Sequence, residues 1–175
     1  MKLLATFKPQ DVEPDAPHFD YESFRPRTAA RAVIFDRDKV ALIYISEHGY
    51  YMLPGGGIDD NDIEAGLARE IREELGCEIE VTGEVGSAEV YFDRWQQKQT
   101  DYCYVARKTS ASKDVSPTNF EVEEGHEVVW VSNLQEAIRL VKNASPVNRD
   151  GKLVRARDLT FLESVQQMSI KQITD

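Results

Sequence analysis

Apolar residues in this chain come either as short runs and alternations or at every fourth position. Runs and alternations read as strand, because successive strand side chains point to opposite faces. Residues 1–8 (MKLLATFK), 28–35 (TAARAVIF), 40–45 (VALIYI) and 50–53 (YYML) are predicted strands, the second and third joined as a hairpin by the polar turn 36–39. Residues 78–84 (EIEVTGE), 89–92, 100–106 (TDYCYVA) and 127–131 (EVVWV) continue the series, with 89–92 and 100–106 an antiparallel pair about the turn 93–98. The four-residue repeat is Leu67, Ile71 and Leu75, the buried stripe of a helix that Asn61 or Asp62 caps and Gly76 stops. Asn61 and Glu64 have capping-box spacing. Two later helices are predicted. One spans 133–142, capped by Ser132 with Gln135 completing a capping box; the other spans 155–168, with Leu159, Leu162, Val165 and Met168 inward. Residues 9–26, rich in Pro, Asp and Glu, read as an extended arm, and 108–119 and 143–152 as loops.

Composition narrows this picture. With 175 residues and 41% hydrophobic content, the chain can bury the core of one domain. No repeat or linker divides it, so 1–27 is read as an N-terminal strand and arm packed on a single domain at 28–175. The formal net charge of -10 repels nucleic-acid backbones and anionic membranes, and disfavours both as partners. It leaves room for a small anionic ligand where bound cations neutralise the site. Cys77 and Cys103 lie among apolar residues and read as buried free thiols in a reducing compartment. The N-terminal MKLLATFKPQD lacks a sustained apolar region, and no apolar run approaches the ~20 residues of a membrane helix. A cytoplasmic location is the expectation.

The candidate chemistry sits at 53–77, LPGGGIDDNDIEAGLAREIREELGC. Glu70, Glu73 and Glu74 are spaced i, i+3 and i+4 and share one helix face. Like charges so placed repel by a few tenths of a kcal/mol per pair, roughly, and call for a counter-charge. A divalent metal is the natural candidate, because hard cations prefer carboxylate oxygens. At about 100° per residue the glutamates lie beside the apolar stripe, at the edge of the core where a cleft can form. The chain has no GxxxxGK[ST] phosphate loop, no CxxC pair and no GxSxG turn, which removes the residues that P-loop ATPase, zinc-site and serine-hydrolase readings need.

This stretch resembles the box of the Nudix family, in which G, five residues, E and seven residues precede R-E-U-x-E-E-x-G-U, with U apolar. Arg69-Glu70-Ile71-Arg72-Glu73-Glu74-Leu75-Gly76-Cys77 matches the second half at every defined position if Cys77 counts as apolar. The order of flanking elements over 28–165 is similar too. One departure stands out. Counting back from Arg69, the family's first glutamate falls on Asn61, and the loop after the glycine pair is one residue short, with Asp59, Asp60 and Asp62 around the gap.

The resemblance implies an α+β fold: a Nudix-like α/β/α sandwich with a mixed β-sheet. It implies a Mg2+- or Mn2+-dependent hydrolase that cuts the diphosphate of a nucleoside diphosphate linked to a moiety X, or a related nucleotide, by water attack on phosphorus. Glu73 and Glu74 would be principal metal ligands, Glu70 a ligand or the base, a backbone oxygen near Gly56 a further ligand, and Arg69 a brace for the glutamates. Such sites often take a distal acid; Glu124 is chosen from Glu121, Glu123, Glu124 and Glu127. The partner is thus a small nucleotide, and a homodimer fits the family's habit. A catalytically silent module that binds nucleotide as a sensor is the alternative, supported by Asn61. A Nudix-fold isomerase of isoprenoid diphosphates would want a cleft cysteine and clustered histidines, which three scattered histidines do not supply. Tyr50, Tyr51, Phe92 and Trp95 are candidates to stack a base or sugar, although core packing explains strand aromatics equally well. Arg25, Arg27 and Arg31 are candidates for phosphate contacts.

Overall fold

The apolar run at 28–35 lies inside a longer strand on which the fold is assembled. The computed structural model describes residues 1–59, 62–112, 115 and 119–174, with side chains at all of these except 119–121 and 169–174. In chain order the elements are β1 (Leu3–Phe7), α1 (Pro9–Val12), β2 (Arg25–Asp36), β3 (Lys39–Ile45), β4 (Tyr50–Met52), α2 (Ile63–Leu75), β5 (Ile79–Phe92), β6 (Gln97–Lys108), α3 (Asn119–Glu124), β7 (His126–Val131), α4 (Leu134–Asn143) and α5 (Arg149–Thr174). The strands form one sheet in the order β1-β5-β6-β2-β3-β4, with β7 on the second edge of β3. Pairs β1/β5 and β2/β6 are parallel and the rest antiparallel, so the sheet is mixed.

Alternation along β2 separates two layers. Ala30, Ala32 and Ile34 pack on Leu67, Ile71 and Leu75 of α2. Val33, with Val40 and Leu42 of β3, packs on Leu134, Ala137 and Val141 of α4 and on Phe161, Leu162 and Val165 of α5. This is the expected α/β/α sandwich. Full burial of a leucine or isoleucine contributes roughly 1.5–3 kcal/mol, so the α2 stripe alone holds the box helix firmly.

One break in the sheet positions the site. β2 and β3 pair only at Phe35↔Val40 and Asp36↔Lys39, then diverge. The glycine-rich loop fills the free edge of β2 instead. Ala32 N donates to Pro54 O (3.1 Å), Ala30 N to Gly56 O (3.0 Å) and Ile58 N to Thr28 O (2.9 Å). Gly55 has φ +123°, and a Cβ there would overlap the Ala30 carbonyl, so only glycine fits.

Several expectations are corrected. Residues 78–84 and 89–92 form one strand, β5, whose register shifts at Val81/Gly83 and Glu84/Gly86; bulges absorb the glycines that read as a break. The cap of α4 is Asn133, which accepts from Glu136 N at 2.9 Å, and not Ser132 with Gln135. Helix α5 begins at Arg149 inside the supposed loop. Leu162 and Val165 are buried, Leu159 is partly so, and Met168 is 38% exposed because the helix outruns the core there. The arm at 9–26 is not simply extended: it holds α1 and a 3-10 turn at Tyr21–Ser23, and Glu13 ties it to Arg149 and Lys152 of α5. Asp62 caps α2, accepting from Ala65 N at 3.1 Å. Asp60, Asn61 and part of the loop 108–119 lie outside the described residues, as does the Glu121 side chain. Cys77 and Cys103 are buried free thiols, as expected. Among the described residues no helix is long and apolar enough to cross a membrane.

Candidate active site

Helix α2 is fixed at both ends and along one side. Asp62 caps its start, and Gly76, at φ +64°, closes it with a bond to the Arg72 carbonyl. Gly66 lets the helix approach the glycine loop, since a Cβ there would lie 2.8 Å from Ile58 Cδ1. The loop stitched to β2 therefore sits directly against the glutamate face.

Two of the three glutamates touch that loop or press on it. Gly55 N donates to Glu74 Oε2 at 2.7 Å. The Glu70 carboxylate lies where a Cβ at Gly56 would be, so a side chain there would displace it. Arg69 reaches Glu70 at 2.7 Å and both oxygens of Glu73 at 3.3 Å. Burial pushes the Glu70 carboxyl above the usual glutamate range; Arg69 opposes this and Glu73 reinforces it. Glu73 itself is 56% exposed on its side chain.

Beside the loop, on the α5 side of the sheet, lies a cleft of about 200 Å³. Arg27 and Arg31 of β2 form the wall nearest the loop. Arg27 Nη1 donates to Gln99 Oε1 at 3.0 Å, and its guanidinium lies under Gly57, where a Cβ would be 2.6 Å from Nη2. Arg31 donates through Nη1 to the Gly55 carbonyl and through Nε to Asp101 at 3.2 Å. Asp101 accepts from Arg157 Nη1 at 3.1 Å, and Arg157 Nε donates to Asp158 at 2.7 Å. Asp158 accepts from Leu53 N at 2.8 Å, which ties this buried quartet to the start of the loop. Burial works against the charge on Asp101, but Arg157 and Arg31 overcome it and hold the carboxyl below the usual range. Arg157 Nη2 is buried without a hydrogen-bond partner among the described residues. Such an unmet buried donor costs on the order of 1–3 kcal/mol.

The metal expectation meets a mixed geometry. The donor set at the loop is all carboxylate oxygen, which suits Mg2+ or Mn2+, and the missing Cβ at Gly56 gives Glu70 its place. The carboxylates are turned onto Arg69 and the Gly55 amide. Among the described residues no three Asp, Glu, His or Cys side chains form a ready metal cluster. The Gly56 carbonyl already accepts from Ala30 N, which leaves it one lone pair. Glu124 lies in the cleft wall between His48 and His126, 3.5 Å from an Nε2 of each.

The other candidates divide. Tyr50, Phe92, Trp95, Arg27 and Arg31 line the cleft. Tyr51 packs on Tyr44 at 4.7 Å between ring centres, and Arg25 bonds the Trp95 carbonyl on the surface. Glu123 and Glu127 are exposed. Sequence reasoning missed Gln99, Asp101, Asp150, Arg157 and Asp158. Asp101 carried a signal, being an acid at an inward position of the alternating run TDYCYVA, two residues before buried Cys103.

The family model for the NUDIX domain matches residues 25–151. No curated protein matches the sequence. Among solved structures, the solution structure of the E. coli ORF135 protein is similar, with TM-score 0.59 and 19% identity, over 91% of this chain and 100% of that one. A MutT NUDIX hydrolase from Burkholderia pseudomallei gives TM-score 0.56 and 25% identity over 81% and 98%. An ADP-ribose pyrophosphatase from Streptococcus suis gives TM-score 0.50 and 22% identity over 80% and 92%.

Proposed function

Because the chain belongs to the NUDIX domain family and is a Nudix-type hydrolase, we propose that it is a Mg2+- or Mn2+-dependent pyrophosphohydrolase acting on a nucleoside diphosphate linked to a moiety X. The observation that carries this is the stitched glycine loop. Gly55 bonds Glu74 of the glutamate face through its amide and Arg31 of the cleft wall through its carbonyl, so one loop residue joins the carboxylates to the cleft. Glu70, Glu73 and Glu74 would hold the metal, with the free lone pair of the Gly56 carbonyl and Glu124 as further candidates. When bound, the ion would supply positive charge against the diphosphate and acidify the attacking water.

The chain's own residues supply the rest. Glu70, half-desolvated and raised in pKa, suits the acceptor of a proton from water. Arg69 holds Glu70 and Glu73 apart from each other's repulsion. The Gly55 amide fixes the rotamer of Glu74. Arg27, whose hydrogen-bond partner is the neutral Gln99, is free to face a phosphate. The net charge of -10 favours a small nucleotide partner over nucleic acid, and the buried free thiols Cys77 and Cys103 support a cytoplasmic setting.

The test is a panel of ADP-ribose, UDP-sugars, nucleoside triphosphates and dinucleoside polyphosphates with Mg2+, repeated with Glu73→Gln and Glu74→Gln. Hydrolysis should fall by at least about 100-fold in each variant, since even indirect partners of a metal site are worth 10–100-fold. Metal-dependent turnover that survives both changes would remove those ligands from the mechanism. Thermal stabilisation by nucleotides with no turnover under any divalent metal would instead identify a silent binding module.

A further inference from the structure

Hydrolysis at the glutamate face makes no use of the far end of the cleft. There Trp95, 46% exposed, offers flat apolar surface, and Tyr50 and Phe92, each 7% exposed and part of the core, complete the wall. Arg157 lies beneath them, 1% exposed. Its Nε and Nη1 are spent on Asp158 and Asp101, while Nη2 is buried without a hydrogen-bond partner among the described residues. Arg31 and Arg157 face Asp101 and Asp158, so the quartet is neutral and offers no net attraction to an anion. A neutral acceptor can complete the bonding of Nη2. Two carboxylates, Glu124 and Asp150, line the same cleft.

A flat ring bearing a carbonyl beside a ring N–H fits this set. One face meets the Trp95 indole, its carbonyl meets Arg157 Nη2, and its N–H meets Asp150. Guanine and uracil carry that edge. Adenine sets an amino donor where the guanidinium needs an acceptor. We propose that this end of the cleft is the base-reading pocket of the substrate and takes guanine or uracil in preference to adenine, with Arg157 and Asp150 as specificity residues. The proposal rests on the nucleotide-hydrolase reading above and deepens it by naming the base.

Binding can be measured without catalysis. In the full chain carrying Trp130→Phe, Trp95 is the sole indole, and its fluorescence reports titration with GMP, UMP and AMP in the absence of divalent metal. GMP and UMP should bind about tenfold tighter than AMP, the lower end of what one well-made base-edge contact discriminates. Arg157→Lys keeps the charge and lacks Nη2, so the ratio should fall toward one. Asp150→Asn, outside the buried quartet, gives a second variant should the first fail to fold. Its amide donates as well as accepts, and the gap to AMP should narrow at least about threefold with the circular dichroism spectrum unchanged. Equal affinities, tighter AMP, no binding at millimolar concentration, or a preference that survives a folded variant each overturn the proposal. Hydrolysis that survives Glu73→Gln and Glu74→Gln with base preference intact counts against the glutamate assignment alone. Hydrolysis lost in both with equal binding of the three nucleotides counts against the base pocket alone.

Discussion

Two charge clusters flank the glycine loop, and they obey opposite rules. On α2, Arg69 bridges Glu70, whose side chain is 18% exposed, and Glu73, which is 56% exposed, so part of the like-charge repulsion is offset by one cation at the surface. On the other side of the sheet, Arg31, Asp101, Arg157 and Asp158 form a neutral quartet with almost no solvent. Under the proposed function, the first cluster would exchange its partners for an ion. The second is held tightly, because breaking one of its pairs leaves a bare buried charge. The second cluster keeps Leu53 and Gly55 in place, which is what the proposed metal site on the first would require.

Asp101→Asn is the strongest way to break that contrast. It removes the charge facing two buried guanidinium groups and sets amide donors against donors. Stability should fall by about 3–5 kcal/mol, read as a lower urea midpoint. The acid limb carries the same signature. The Asp101 carboxyl is held below its ordinary value, so its contribution is present above the unfolded value of about 3.9 and is lost only as pH falls through the lower folded value. Acid titration of the wild-type chain should keep this contribution to below the ordinary aspartate range, and Asp101→Asn should not. A change of less than about 1 kcal/mol in Asp101→Asn would make the quartet no more than a surface cluster.

Gly56→Ala tests the loose side. The new Cβ would occupy the place of the Glu70 carboxylate, whose side chain can swing away, so the fold should survive while turnover falls about 10–100-fold. Loss of fold together with activity would mean that the glutamate face is as rigid as the quartet.

Glu70→Gln has the smallest effect on stability and the most informative sign. Burial raises the folded pKa of Glu70, so ionisation penalises the folded state, and stability is lost as pH rises from the unfolded value of about 4.3 toward the folded one. The amide cannot ionise. The variant should equal or exceed the wild type by up to about 1 kcal/mol at pH 7, with the difference vanishing below pH ~4. If Glu70 also takes the proton from water, the acid limb of the wild-type rate profile lies above the ordinary glutamate range and the variant loses it. A variant less stable than wild type at pH 7 would mean that the bond to Arg69 outweighs burial.

How much of this was legible follows from where each interaction is written. The α2 stripe, a cap at Asn61 or Asp62, the stop at Gly76 and the three glutamates depend on spacings within one turn or two, and a helix converts spacing into a face; the structure chose Asp62. The strands of the α/β/α sandwich were readable for the same reason, apart from β5, where Gly83 and Gly86 read as a break and are bulges. The cap of α4 was misplaced by one residue because Ser132 and Asn133 are both good caps, and only the backbone turn decides between them.

The sequence alone thus determined the glutamate face and the glycine loop before it, since each is a local pattern, and the layers around them followed from the family resemblance. Only the tertiary structure decided what stands opposite. Arg31, Asp101 and Arg157 lie 70 and 56 residues apart along the chain, and no periodicity links them. They meet because β2 pairs with β6, and the α5 face of that pair turns its charges toward the helix. Burial then forces those charges to pair with one another, and leaves one donor, Arg157 Nη2, beneath the cleft.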